Sequence, residues 1–580
     1  MNFVGVDVGT GSARAVVVDE KGELLGTGVY ELTTWNASTH FYEQSSENIW
    51  ASCCKAVKKA LEEAAVSPDT VKGLGFDATC SLVVLDADGN PVSVSPDTTE
   101  KGDERNIILW MDHRAKDQAQ RITETKSEVL KFLGGTMSLE MELPKILWLK
   151  ENKPELFKRM YFYDLPDFLT FKATGSTARS TCSLVCKWTY VPPEVAADTS
   201  MTKHGWDDQL FDLIGLADLK ENDYTRIGGV PQRNGQVLTA GQRVGGLSEQ
   251  AARQLGLNPG TAVGSAVIDA YAGWVGTVGA PFTTRPGDVA AATDIQEAPK
   301  RLALICGTSS CHLVTSPDAI FVEGVWGPYY SACLPSLWVA EGGQSATGKL
   351  IDWVIENHKA SWEAREEAAA QSISVYQFLN QRLERLKTKR NASNLPSLTK
   401  DYHMIADFHG NRSPLADPSL RGMVVGLDLD PLGVDSLALQ YYATMEAIAY
   451  STKQIIEALN QNGHSVDTLF MSGGLCKNAV FVQLHADITG SPVVLPKYIN
   501  SAVVLGAAIL GATAYGSGHD NLWDTMVSMN KADQVIHPTR DEGELAIHRR
   551  KYEVMKLMQV HQKEYQRIMN SSGGDERSQQ

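Results

Sequence analysis

Residues 4–26 read VGVDVGTGSARAVVVDEKGELLG. The apolar run Phe3 to Val8 carries one acid, Asp7, and ends in Gly9-Thr10-Gly11-Ser12. A second apolar run, Ala13 to Val18, follows, and a turn at Glu20-Lys21-Gly22 leads to a third from Leu24. The pattern predicts a strand, a tight glycine turn, a second strand and a hairpin into a third. Glycines 9 and 11 leave backbone amides bare and Thr10 and Ser12 add hydroxyls, so the turn can wrap a phosphate. Asp7, at the strand end, is placed to hold a magnesium ion, directly or through water. On this stretch alone an ordinary hairpin with an acid at its mouth stays open. A Rossmann fingerprint does not fit: the third glycine is absent, and a strand follows where a helix should.

A second copy decides the matter. Residues 302–324 read LALICGTSSCHLVTSPDAIFVEG. An apolar strand again ends in Gly-Thr, here Gly307-Thr308 with Ser309 and Ser310 behind. A second apolar run, a turn near Ser316-Pro317-Asp318 and a third run follow. Two such hairpins in the two halves of one chain predict two similarly built domains facing each other. Their loops would grip opposite sides of a nucleotide's phosphates.

The chain has 580 residues, enough for two or more domains at ~100–200 residues each. Hydrophobic residues make up 43% and charged residues 21%, as in a soluble globular protein. A net charge of −16 argues against nucleic acid as a partner, which needs a basic footprint. No run approaches a membrane span, and the N-terminus enters a strand at once, without the charged and apolar regions of a signal peptide. The nine scattered cysteines form no CxxC pair and read as reduced thiols in a cytoplasmic protein.

Residues 43–65 carry apolar positions at Ile49, Cys53, Val57, Leu61 and Ala65, an amphipathic helix capped by Ser45 or Ser46. Val71 to Phe76 reads as a buried strand, and Asp88 to Arg105 as a loop. Gly260 to Ile268 reads as a strand delivering Asp269 to a helix of small residues. A segment from Ala364 to Arg390 is helical and locally basic. Leu469 to Ser472 is a strand turned into a helix by Gly473-Gly474, and Ser501 to Gly511 is a small-residue helix.

Gly343-Gln344-Ser345-Ala346-Thr347-Gly348-Lys349-Leu350 nearly spells a P-loop, but Leu350 stands where Ser or Thr must reach magnesium. That leaves a packing glycine, with Glu341 the more interesting residue. Asp269 taken alone could be a helix cap. Near two phosphate loops it fits better as the carboxylate that takes a proton from an attacking hydroxyl. Bare backbone at Gly473-Gly474 would let an adenine or ribose lie flat, with Asn478 in reach, though a plain tight turn needs the same glycines. Trp110, Asp112, His113, Arg114, Lys187 and Glu341 combine an aromatic face with charged groups, the mix a sugar site needs. Each one singly also fits a salt bridge or a core position.

Together these residues resemble the FGGY family of carbohydrate kinases, over nearly the whole chain to about residue 570. The stretch from Gly422-Met423-Val424-Val425-Gly426 to Ala447-Ile448 is similar to the family's C-terminal signature. GFDATCSLVVLD, LWMDHRA, SLVCKWTY, CGTSSCH, EGGQSATGKLIDW and ADFHGNRSPLAD resemble the ribulokinase branch. The resemblance implies two ribonuclease-H-like α/β domains of the actin/hexokinase/Hsp70 superfamily with a central cleft. It divides the chain into a sugar-binding domain at 1–280, a linker at 281–300 and a nucleotide-binding domain at 301–516. A helical extension at 517–569 and a disordered tail at 570–580 complete the expectation. It implies ATP and Mg2+ as cofactors and phosphorylation of D-ribulose to D-ribulose 5-phosphate. L-ribulose, D-xylulose or a pentitol as acceptor, or a non-catalytic sugar-binding regulator, stay open. Thr79, Trp110, Asp112, Lys187, Asp269 and Glu341 would bind the sugar, with Asp269 as the catalytic base. Gly9, Thr10, Gly11, Ser12, Gly307, Thr308, Ser309, Gly473, Gly474 and Asn478 would bind the nucleotide, and Asp7 the metal. The expected partners are a small sugar, no nucleic acid and no membrane. Oligomeric state is not readable, and a homodimer stays open.

Overall fold

The computed structural model describes residues 1–38, 40–96, 105–196, 204–283, 293–428, 433–516 and 521–570. The middle of the expected 88–105 loop, the middle of the 281–300 linker and residues 571–580 of the tail lie outside the described residues. The chain forms two compact units that do not follow sequence order. The first takes residues 1–303, 313–341 and 496–533; the second takes 304–312, 342–495 and the residues from 534 onward.

In the first unit β1 (Asn2–Val8) pairs antiparallel with β2 (Ser12–Asp19), which pairs antiparallel with β3 (Leu24–Glu31). The strand–turn–strand–hairpin reading holds. On its other edge β1 pairs in parallel with β4 (Val71–Ala78). Beyond β4 lie β5 (Arg243–Gly246) and β6 (Ala262–Gly264), giving the order β5-β6-β4-β1-β2-β3. The strand expected at 260–268 is two pieces, β6 and Val267–Ile268, both paired with β4.

Alternation along β1 and β4 sorts two faces. Val4, Val6, Val8, Leu74 and Phe76 enter one core with Ile49, Cys53, Val57 and Leu61 of α1 (Ser46–Ala64). Ser45 caps α1 by accepting from the Asn48 N–H at 3.3 Å. Burying each such aliphatic side chain contributes about 1.5–3 kcal/mol. The opposite face presents Gly5, Asp7, Gly73, Gly75 and Asp77. There α2 (Asp269–Val275) begins beside the end of β4, and α3 (Ala502–Tyr515) lies on β1, β4 and α2. The α3–sheet approach leaves no room for side chains: a Cβ on Gly75 would stand 1.9 Å from the Ala507 carbonyl oxygen. Glu23 anchors the segment that carries α3. It accepts from Lys497 at 2.7 Å, from Lys531 and from the Tyr498 hydroxyl at 2.5 Å, and these bonds hold its pKa down at about 2.

β7 (Arg301–Cys306), whose second half belongs to the second unit, lies between β8 (Ser310–Ser316) and β9 (Thr468–Ser472), as β1 lies between β2 and β4. The repeat is incomplete. The expected third run near residues 319–322 forms no strand and Phe321 is exposed; the next strand is Trp326–Tyr330. The charged segment at 364–390 is two helices, Ser361–Ala370 and Val375–Lys389. The break falls where Ser374 forms a capping box with Gln377. Within this unit the Nε2 of His312 lies 3.1 Å from the Thr452 hydroxyl, and the Nε2 of His485 lies 3.4 Å from it. Burial holds both histidines neutral, His312 with its pKa down to about 3 and His485 to about 4.

Two predictions follow from this packing. Gly75→Ala should cost about 1–3 kcal/mol through overpacking against α3, read as a fall in unfolding midpoint in denaturant. An unchanged midpoint would refute the close approach. The histidines bind protons when unfolded, near pH 6.5, but not when folded, so stability is lost as pH falls below that value toward 4. Each contributes about 1.4 kcal/mol per pH unit. Buried carboxylates with raised pKa work in the opposite direction, so the diagnostic is a difference. His485→Gln should lose about 2 kcal/mol less than wild type between pH 6.5 and 5, and parallel curves would contradict the buried neutral imidazole.

Candidate active site

In the first unit the strand ends bring three acids together. Asp7 stands in register with Asp77 on β4 and with Arg14 on β2. Asp77 is fully buried, and among the described residues no group donates a hydrogen bond to its oxygens. Burial raises its pKa well above the ordinary carboxylate range, and Asp7 and Asp269 raise it further. Asp269 is the first residue of α2, with Ile268 rather than Asp269 at the cap position. Its Oδ1 accepts from the Ala270 N–H at 2.7 Å. Burial, then repulsion from Asp7, lifts its pKa to about 6. Asp7 is lifted too, by burial against the pull of Arg14. This excess of negative charge suits a hydrated divalent cation, which takes one or two carboxylates and keeps much of its water. Among the described residues no three His, Cys, Asp or Glu side chains form a group that could hold a metal ion by themselves.

A second polar group surrounds Lys187, at the end of the helix Thr181–Lys187. Its ammonium is buried, 3.7 Å from Glu140 and 4.0 Å from Glu341, and lies 4.4 Å from the centre of the Trp326 ring. Burial opposes its charge, but Cys80, Glu341 and Glu140 outweigh that and hold its pKa above the ordinary lysine value. Glu341 accepts from the Tyr271 hydroxyl at 2.9 Å. Lys187 and Glu341 also act electrostatically on Asp269, so the two groups form one neighbourhood.

The first glycine turn is tight and braced. The Gly9 N–H donates to the Ser12 carbonyl at 3.0 Å, and Gln44 donates to the Thr10 carbonyl at 2.9 Å. The Trp110 indole N–H donates to the Thr10 hydroxyl at 3.0 Å, which joins an expected sugar residue to the expected phosphate loop. Thr79 is buried beside Ser81, 3.3 Å between hydroxyls. Asp112 has partners within the protein. Its oxygens accept from the Tyr42 N–H at 2.7 Å and from Arg114 at 2.8 and 2.9 Å, the Arg114 bonds fully buried. Arg114 in turn reaches Glu43 at 2.8 Å and stacks on Phe41. Asp112 therefore pins the segment that carries Trp110.

In the second unit the Gly307 N–H donates to the Ser309 carbonyl at 2.9 Å, a turn one residue shorter than the first. The helix Gly348–Asn357 starts against it: the N–H groups of Thr347, Gly348 and Lys349 donate to the carbonyls of Thr308, Gly307 and Thr308 at 3.0, 3.2 and 3.2 Å. These amides are spent, which is the physical reason that the near P-loop sequence is not a P-loop. Gly473, with φ of 98°, sits against Cys306: a Cβ there would lie 2.3 Å from the Cys306 carbonyl oxygen. The space over Gly474 is open. Asn478 caps the helix Ala479–Thr489, its Oδ1 accepting from the Val480 N–H at 3.2 Å.

Sequence reasoning singled out neither Asp77, Glu140, Tyr271 nor Trp326. For Asp77 a signal was present: Gly75-Phe76-Asp77-Ala78-Thr79 repeats the pattern of Gly5-Val6-Asp7-Val8 followed by Gly-Thr. The other three are brought to the site by tertiary packing and have no local signature.

The comparisons with known proteins agree with this architecture. The profile of the FGGY carbohydrate kinase N-terminal domain matches residues 2–276, and that of the C-terminal domain residues 302–515. The FGGY carbohydrate kinase domain-containing protein of Homo sapiens is 48% identical over 98% of this chain and 98% of its own. A D-ribulokinase of Saccharomyces cerevisiae is 44% identical over 88% of this chain and 72% of its own. The xylulose kinase of Rhodospirillum rubrum shares the fold, with a TM-score of 0.74 at 20% identity over 97% of this chain and 99% of that one. The chain belongs to the FGGY family of carbohydrate kinases.

Proposed function

We propose that the protein transfers the γ-phosphoryl group of ATP to the terminal hydroxyl of a ketopentose, with D-ribulose as the acceptor and D-ribulose 5-phosphate as the product. The observation that carries this reading is Asp269, a partly accessible carboxylate beside Lys187, Glu341 and two further acids. The 44% identity to a yeast D-ribulokinase supports the choice of sugar.

Phosphoryl transfer asks the protein for position and electrostatics more than for covalent chemistry. Lys187 and Glu341 are suited to bond adjacent sugar hydroxyls, one donating and one accepting, with Trp110 as an apolar wall. Asp269 accepts the proton of the attacking hydroxyl; its elevated pKa makes it a better base than an exposed carboxylate. The turns at Gly9–Ser12 and Gly307–Ser309 offer amides and hydroxyls to the phosphates. Gly473-Gly474 gives the adenosine a bare backbone to lie on. Asp7 would hold Mg2+, which would supply positive charge to offset that of the phosphates. The same proposal puts sugar binding on residues 1–280 and nucleotide binding on 301–516. It places the protein in the cytoplasm, where its nine free cysteines stay reduced. Among the described residues no helix is long and apolar enough to cross a membrane.

Two measurements test the proposal. Asp269→Asn should lower kcat by about 100-fold or more while ATP and sugar still bind; a variant keeping a tenth of the rate would remove Asp269 from the base role. Across D-ribulose, L-ribulose, D-xylulose and pentitols, kcat/KM should be highest for D-ribulose. A higher value for another acceptor would overturn the substrate and leave the kinase.

A further inference from the structure

The helix Val375–Lys389 had no role in the sequence analysis, yet within the second unit it meets the turn at Gly473–Asn478. Three side chains close a cycle of hydrogen bonds. Asn478 Nδ2 donates to the Tyr441 hydroxyl at 2.6 Å. That hydroxyl donates to Asn380 Oδ1 at 3.2 Å. Asn380 Nδ2 donates to Asn478 Oδ1 at 2.9 Å. All three bonds run in one direction round the cycle, so each group is both donor and acceptor. Asn478 cannot flip its amide, because its Oδ1 already receives two N–H groups, from Asn380 and from Val480.

The same helix makes a second contact one turn earlier. Tyr376, on the face of Asn380 by its i,i+4 spacing, donates its hydroxyl to Asp352. Asp352 lies on the helix whose first amides hold the Gly307-Thr308 turn. One inserted helix thus braces both the second phosphate turn and the adenosine turn. Asn380 is partly exposed, and its second amide hydrogen has no partner among the described residues.

We propose that the Val375–Lys389 helix is part of the nucleotide site, and that Asn380 is a positioning residue that holds a purine nucleoside triphosphate by fixing the Asn478 amide. The proposal rests on the reading that the adenosine lies on Gly473-Gly474. Breaking the cycle should weaken the nucleotide and spare the sugar. Asn380→Ala and Tyr441→Phe should each raise KM for ATP and Kd for ADP, measured by calorimetry, by about 3–10-fold, the range of one lost hydrogen bond. KM for D-ribulose and the melting temperature should stay close to wild type. The double variant should be no weaker than the stronger single one, since both remove the same cycle. Asn380→Asp, which turns a donor toward Asn478 into an acceptor, should be at least as weak as Asn380→Ala. Unchanged ADP binding in Asn380→Ala and Tyr441→Phe would overturn the proposal, as would equal losses for ATP and sugar. Gly474→Val, which fills the open space, separates the two layers. If it weakens ADP while Asn380→Ala does not, the positioning role falls and the adenosine placement stands. If it leaves ADP binding intact, both fall.

Discussion

The contact on which the first unit depends is the helix Ala502–Tyr515 lying bare against the central strands. Side chains on one face of a strand recur every second residue. Gly5 and Asp7 therefore share a face on β1, and Gly73, Gly75 and Asp77 share it on β4. Along β4 the glycines meet the helix progressively nearer its start, Gly73 at Gly511 and Gly75 at Ala507. Asp77 is the next residue on that face, one step further toward the helix N-terminus, and Asp7 matches it in register. The spacing that lets the helix down onto the sheet is the same spacing that delivers two carboxylates beyond it. The favourable partial charge of a helix N-terminus makes that a tolerable place for anions.

The charge arrangement around those carboxylates is costly in the free protein. Burial raises the proton affinity of Asp7, Asp77 and Asp269, and the charge of Asp7 raises it further in the other two. A protein core selected only for stability would replace such a group with apolar residues. Lys187 sets a different pattern, where the buried Glu341 and the partly exposed Glu140 stabilise a buried cation. Perturbed carboxylates of this kind mark functional sites more often than structural ones.

Much of this was legible in the sequence, and what was not has physical causes. The strands of the first hairpin, the stripe of α1 and the small-residue helix show themselves through periodicity and composition, which are local properties. The duplicated Gly-Thr turn showed the repeat. The absence of a strand at 319–322 was not visible, because an apolar run there carries no statement of what it pairs with. The break between the two helices at 361–389 was visible in hindsight, since Ser374 and Gln377 spell a capping box. Of the partners of Asp112, Arg114 is a sequence neighbour, but the Tyr42 N–H lies 70 residues away. Glu140 and Trp326 reach Lys187 only through tertiary folding.

The two Gly-Thr turns also show how one requirement is met by different means after duplication. A turn that presents amides to phosphate must be rigid before the ligand arrives, or ordering it subtracts from binding. The first turn is held from outside by side chains, Gln44 on the Thr10 carbonyl and Trp110 on its hydroxyl. The second, shorter by a residue, is held by backbone, the opening amides of the helix Gly348–Asn357 on the Gly307 and Thr308 carbonyls. Thr347 adds its hydroxyl, which donates to the Gly307 carbonyl at 3.3 Å, and Gly348 must stay bare because a Cβ there would stand 2.6 Å from the Gly307 carbonyl oxygen. Side-chain bracing ties the first turn to Trp110, so a change in what lies against that indole reaches the Thr10 hydroxyl directly. The first turn thereby depends on side chains distant in sequence, and the second on the helix that starts against it.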